Sequence, residues 1–123
     1  MGADSGDLTG QWVARLDGSD PAVRFVRVAG KLDQRGAPEL RRLIDDQLAA
    51  SPQRFLLDLT ELSALDSGGA RSLVAATEYA AELKVDLRVV ASNGVAGALR
   101  AAAAPHRLPL HGSLDEALEP LAE

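Results

Sequence analysis

A chain of 123 residues, 46% of them hydrophobic, is sized for one domain around one core. A formal charge of −5, with Trp12, Phe25, Phe55 and Tyr79 as the whole aromatic set, argues against a broad phosphate-binding surface or a base-stacking platform, and so against nucleic acid as a partner. The absence of cysteine excludes disulfides and thiolate metal sites, and the absence of an apolar run of about 18 residues excludes a membrane-spanning helix.

Met1 to Gly10 is small and polar and is expected to form a flexible tail, with the domain proper running from 11 to 123. No basic-then-apolar leader is read here. Gly6 stands where an acylation signal after Met1-Gly2 prefers Ser or Thr, so a cytoplasmic protein is expected. Gln11 to Leu16 alternates Trp12, Ala14 and Leu16 against Val13 and Arg15, as an opening strand does. Asp17-Gly18-Ser19-Asp20-Pro21 has turn chemistry, and Val23 to Ala29 resumes as a β-branched strand. The two suit a hairpin whose register Phe25-Val26 leaves open.

Gly30-Lys31-Leu32-Asp33 closes the hairpin, and Gly36-Ala37-Pro38-Glu39 opens a helix with proline in its first turn and an acid near the positive end of the dipole. Leu40, Leu43, Ile44 and Leu48 recur at helical spacing, and the helix stops before Pro52. Residues 55–59 are apolar apart from Asp58, the pattern of a strand covered on both faces. A short connection, Glu61 to Leu65, then leads into Asp66-Ser67-Gly68-Gly69 and a helix from about Gly69 to Leu83, with Ala70, Leu73, Val74, Ala80 and Ala81 inward and Arg71 outward. Val85 to Ala91 reads as the next strand, Ser92-Asn93-Gly94 as a turn, and Val95 to Ala104 as a helix with Ala98, Leu99 and Ala102 inward, ended by Pro105. His106 to His111 suits a short edge strand, and Ser113-Leu114-Asp115-Glu116 resembles a capping box at the head of a last helix.

Alternating strands and helices after a hairpin predict a single α/β domain: a mixed, mostly parallel sheet of about four to five strands, packed with about four helices. The loops at Asp33, at Asp66-Ser67 and at Ser92-Asn93-Gly94 then open on one rim, where partners of such sheets dock.

Asp66-Ser67-Gly68-Gly69, preceded by Leu57-Asp58-Leu59 and followed by an apolar helix, resembles the signature of STAS domains, best known in bacterial anti-sigma factor antagonists. Gly30-x-Leu32-Asp33 is similar to the same pattern. The family usually shows Asp-Ser-Ser/Thr-Gly, and its first serine, the one a partner kinase phosphorylates, corresponds to Ser67; Gly68 replaces the second hydroxyl residue. The resemblance implies a non-enzymatic regulator without a cofactor. It would bind an anti-sigma factor that is also a serine kinase, be switched off by phosphate on Ser67 and be restored by a phosphatase. It further implies partner contacts at Asp33, Asp66, Ser67, Gly68, Gly69, Arg71 and Asn93, and admits a homodimer.

Each of these residues also has a plainer role. Serine is among the best N-caps, so Ser67 is expected to cap its helix for roughly 1 kcal/mol, a role compatible with modification. Asp66 and Asp58 do not by themselves specify a catalytic or Mg²⁺ site; the resemblance implies that Asp66 helps to position or activate Ser67 for an external kinase, and Asp58 is expected to accept backbone hydrogen bonds. A serine hydrolase would need Gly-x-Ser-x-Gly, and Leu65 stands at the first glycine position. His106 and His111 read as loop residues rather than metal ligands. Gly68-Gly69 lacks the Lys-Ser/Thr of a phosphate-cradling loop. The remaining alternative is a STAS subunit of a transporter or sensory scaffold in which Ser67 is cap and contact only.

Overall fold

The computed structural model describes residues 12–17, 22–104, 108, 110–113 and 116. The expected N-terminal tail, His106 and most of the expected last helix lie outside these residues. Strand β1 (Trp12–Asp17) pairs antiparallel with β2 (Val23–Leu32), placing Trp12 opposite Gly30 and Ala14 opposite Val28. Alternation holds where Trp12 and Ala14 are buried. It fails at Leu16, which is 51% exposed although its partner across the pair, Val26, is buried.

Among the described residues, five strands follow one another across the sheet in chain order: β1, β2, β3 (Arg54–Leu65), β4 (Asp86–Val90) and β5 (Leu110–His111). Every neighbouring pair after the hairpin is parallel. Parallel neighbours need crossovers, and right-handed ones in sequential order put α1 (Ala37–Leu48), α2 (Ser67–Glu82) and α3 (Asn93–Ala103) on one face. The core bears this out. Leu40, Ile44 and Leu48 of α1, Leu73 of α2 and Leu99 of α3 close over Val26, Val28, Phe55, Leu57 and Val89. Full burial of Leu40, Ile44 and Leu48 contributes about 1.5–3 kcal/mol each. The opposite face carries a smaller cluster, Leu56 and Val90 with Val23 and Phe25, so the central strand is covered on both sides as its composition requires.

Several readings differ from expectation. Strand β2 runs on through Gly30 and Lys31 to Leu32, where the hairpin is expected to close, and α2 starts at Ser67, two residues before the expected Gly69, because Asp66 caps it. The stretch 61–65 continues β3 as strand, and two register shifts against β2, between Arg27 and Ala29 and between Gly30 and Lys31, each insert an extra β3 residue. These bulges break the alternation, leaving Thr60-Glu61 and Ser63-Ala64 exposed while Leu62 stays buried. Helix α2 buries Gly69, Ala70, Leu73, Val74, Ala76 and Ala80; Ala81, rotated about 100° from Ala80, is exposed rather than inward. Helix α3 begins at Asn93 rather than after a turn, because Ser92 holds the extended backbone of an N-cap. Its buried set is Val95, Ala96, Leu99 and Ala103, with Ala98 and Ala102 only partly covered. Three helices are described; of the expected fourth, Glu116 is seen, its backbone N–H donating to Ser113 Oγ at 3.3 Å as a capping box would have it.

Candidate functional site

The C-terminal ends of β2, β3 and β4 share one rim, and the loops there carry Asp33, Asp66 and Ser92. Their order is set by backbone hydrogen bonding. The Asp66 N–H donates to Leu32 O at 3.2 Å, tying the exit of β3 to the end of β2. Asp66 has extended dihedrals (φ −87°, ψ 176°), and its Oδ1 accepts the Gly69 N–H at 2.7 Å. It is therefore the N-cap of α2. Its other oxygen, Oδ2, accepts the Gln34 N–H at 3.2 Å, so one carboxylate closes the helix and latches the β2–α1 loop.

This corrects the expected capping role of Ser67. A cap must sit outside the helix with non-helical backbone, and Ser67 is already the first helical residue. Its side chain is exposed, and its hydroxyl has no hydrogen-bond partner among the described residues. No base is within hydrogen-bonding reach of that oxygen there, so the arrangement lacks the nucleophile–base pair of a serine hydrolase.

Gly68 and Gly69 are dictated by close approach. A Cβ on Gly68 would collide with Gln34 Cβ and stand 3.3 Å from Gln34 Cα. One on Gly69 would lie 2.9 Å from Leu65 Cδ1 and 3.0 Å from Leu32 O. The missing second hydroxyl at position 68 thus has a local reason: the β2–α1 loop occupies its place. Gln34, which sequence reasoning passed over, supplies both the latch and the obstruction. A polar residue in a loop carries no pattern that would have singled it out.

Asp33 is committed to its own turn. Its Oδ1 accepts the Arg35 and Gly36 N–H groups, both at 3.0 Å, and its backbone oxygen accepts the Ala37 N–H at 2.9 Å. Asp58 points away from the helices, since Leu57 and Leu59 beside it enter the main core. It is buried, accepts the Thr60 N–H at 2.9 Å and the Thr60 hydroxyl at 2.7 Å, and lies 3.3 Å from Arg27 Nε. The backbone hydrogen bond expected of it is present. Asp58 and Asp66 work in separate networks and form no carboxylate pair.

Two open grooves flank the rim. One runs between the end of β3 and the start of α3, lined by Leu62, Ser63, Leu65, Ser92 and Val95. The other lies between α2 and α3, with Ser67 and Arg71 on one wall and Ala98, Ala101 and Ala102 on the other. Ser67 and Arg71 are thus brought together. Asn93, exposed at the first position of α3, and Asp33 line neither groove. Among the described residues no group of three or more His, Cys, Asp or Glu is placed to hold a metal ion, and no helix is long and apolar enough to cross a membrane.

A loop that closes a parallel strand with Asp-Ser-Gly-Gly at a helix start is matched by a family model, that of the STAS domain, over residues 16–117. The chain belongs to the STAS domain family. Among solved structures it is similar to an anti-sigma factor antagonist from Mycobacterium paratuberculosis, with 27% identity, a TM-score of 0.77, and coverage of 89% of this chain and 93% of that one. The anti-sigma factor antagonist SpoIIAA in its unphosphorylated form shares the fold at 16% identity and a TM-score of 0.67, covering 85% of this chain and 91% of its own. The Bacillus cell fate determinant SpoIIAA in the phosphorylated form does so at 15% identity and a TM-score of 0.64, covering 85% and 95%. No curated protein sequence matches the chain. Family membership and the antagonist relatives identify this STAS protein as a regulator rather than an enzyme.

Proposed function

We propose that this STAS protein is a cytoplasmic anti-sigma factor antagonist switched at Ser67. Unmodified, it binds an anti-sigma factor that carries serine kinase activity; that kinase phosphorylates Ser67 and so ends the association, and a phosphatase restores it. The observation that carries this reading is the state of the Ser67 hydroxyl, exposed on the rim beside a groove and released from capping by Asp66. Likeness to an antagonist covering nearly the whole chain supports the same assignment.

A phosphate there adds about −1.5 to −2 charges and three acceptor oxygens at the surface a partner would cover. Opposition worth about 3 kcal/mol lowers affinity by roughly two orders of magnitude, enough for a switch. The test is incubation with the cognate kinase and ATP, followed by phosphosite mapping and calorimetry with Ser67→Ala and Ser67→Asp. Phosphate is expected on Ser67 alone, with Ser67→Asp binding about 100-fold more weakly and Ser67→Ala binding but refusing phosphate. Phosphate on another residue, or undiminished binding by Ser67→Asp, would overturn the assignment.

A further inference from the structure

The groove between α2 and α3 holds a second feature that capping and packing leave unused. Arg71 lies one turn after Ser67 on the same helix, both are exposed, and both line this groove. Side chains four residues apart on a helix stand about 6 Å apart at their bases, and each Cα–Cβ bond tilts toward the helix N-terminus. A long side chain at position 71 therefore leans back over residue 67. The facing wall is Ala98, Ala101 and Ala102, which offers the guanidinium no acceptor side chain. Arg71 accordingly has no ion pair or hydrogen bond among the described residues, whereas Arg27, Arg41, Arg54 and Arg88 each stand within 3.3 Å of an aspartate oxygen.

We propose that Arg71 captures the phosphate of phosphorylated Ser67 in cis, fixing it against the alanine wall of the α2–α3 groove. The inference rests on the reading of Ser67 as the modified residue and assigns the charge partner of that modification. An anion placed N-terminal to a cation at this spacing is the favoured order on a helix. Guanidinium meets phosphate through paired N–H donors, a geometry that ammonium lacks. The neighbouring Asp66 carboxylate repels the same phosphate, so Arg71 decides whether the group sits in a net attractive or net repulsive field. Two backbone donors add to the attraction. The Ser67 and Gly68 N–H groups have no acceptor among the described residues, because the backbone bonds of α2 begin with Ala70 N–H to Asp66 O and the Gly69 N–H is held by the Asp66 side chain.

The test uses full-length protein carrying phosphoserine at position 67 installed by translational incorporation, so that no kinase is needed. Phosphorus NMR titration then reads the second pKa of the phosphate in the parent, in Arg71→Gln and in Arg71→Lys. Capture predicts that Arg71→Gln raises this pKa by roughly half a unit or more, with Arg71→Lys in between. It also predicts a lower melting temperature for phosphorylated Arg71→Gln than for the phosphorylated parent, while the unmodified pair melts together. Equal phosphate pKa values in the parent and Arg71→Gln would overturn the proposal, since the guanidinium then does not reach the phosphate. Failure of a kinase to modify Ser67 would instead overturn the switch and leave this result standing.

Discussion

Replacing Asp66 by alanine tests the organisation of the rim more sharply than any change to Ser67. The substitution removes two hydrogen bonds: the cap from Gly69 N–H at 2.7 Å and the latch from Gln34 N–H at 3.2 Å. Loss of an N-cap costs about 1 kcal/mol, and loss of a second bond to a carboxylate in a solvent-exposed setting costs about 1 kcal/mol more. The sum of roughly 2 kcal/mol corresponds, in a domain of this size, to a fall of about 6–10 °C in Tm. Asp66→Asn keeps one acceptor oxygen, serves one of the two donors and should lose about half as much. Ser67→Ala should stay within about 0.5 kcal/mol of the parent, because the hydroxyl has no hydrogen-bond partner among the described residues. Urea unfolding followed by circular dichroism and by the fluorescence of Trp12 measures all three. If Ser67→Ala proved as costly as Asp66→Ala, the serine would be the cap after all, and the account of a free hydroxyl would fall.

Two further substitutions probe the surroundings. Gly68→Ser restores the hydroxyl usual at this position but drives a Cβ into Gln34, so it should cost about 1–3 kcal/mol, and Gln34→Gly in the same chain should recover most of it, as thermal melts would show. Asp58→Ala leaves the mostly buried Arg27 guanidinium without its ion pair, while the exposed Thr60 donors turn to water, and should cost about 1–2 kcal/mol in urea unfolding, with the circular dichroism of the folded state unchanged.

The strands and helices were legible because their periods are clean. Leu40, Ile44 and Leu48 mark α1, and the apolar run 55–59 marks a strand covered on both faces. The length of β3 was not legible, since a bulge inserts residues without leaving a compositional mark, and Glu61 to Leu65 has the look of a connection. The start of α3 was misplaced for a related reason. Ser92-Asn93-Gly94 is turn chemistry in isolation, and only the extended backbone at Ser92 makes it a cap followed by helix. At the site, the order of Asp66 and Ser67 was plain but their division of labour was not. Both residue types rank high as N-caps, and the choice turns on where β3 ends, which bulged pairing with β2 decides.

That division of labour bears on how a modification at Ser67 would act. Were the serine the cap, esterifying its oxygen would draw it away from the helix N–H groups and charge the domain's own stability with the change. With Asp66 holding Gly69 and Gln34, the helix start and the loop beside it remain closed whatever is attached to the next residue. The modification then leaves the scaffold of the rim closed, and its free energy is expressed at the surface, where the phosphate meets Arg71 and a partner. The phosphorylated protein should accordingly keep the circular dichroism spectrum of the unmodified one and unfold no more readily. A phosphate that melted the first turn of α2 would show that the serine belongs to the scaffold, and the switch would then work by loosening the fold instead of by charging its rim.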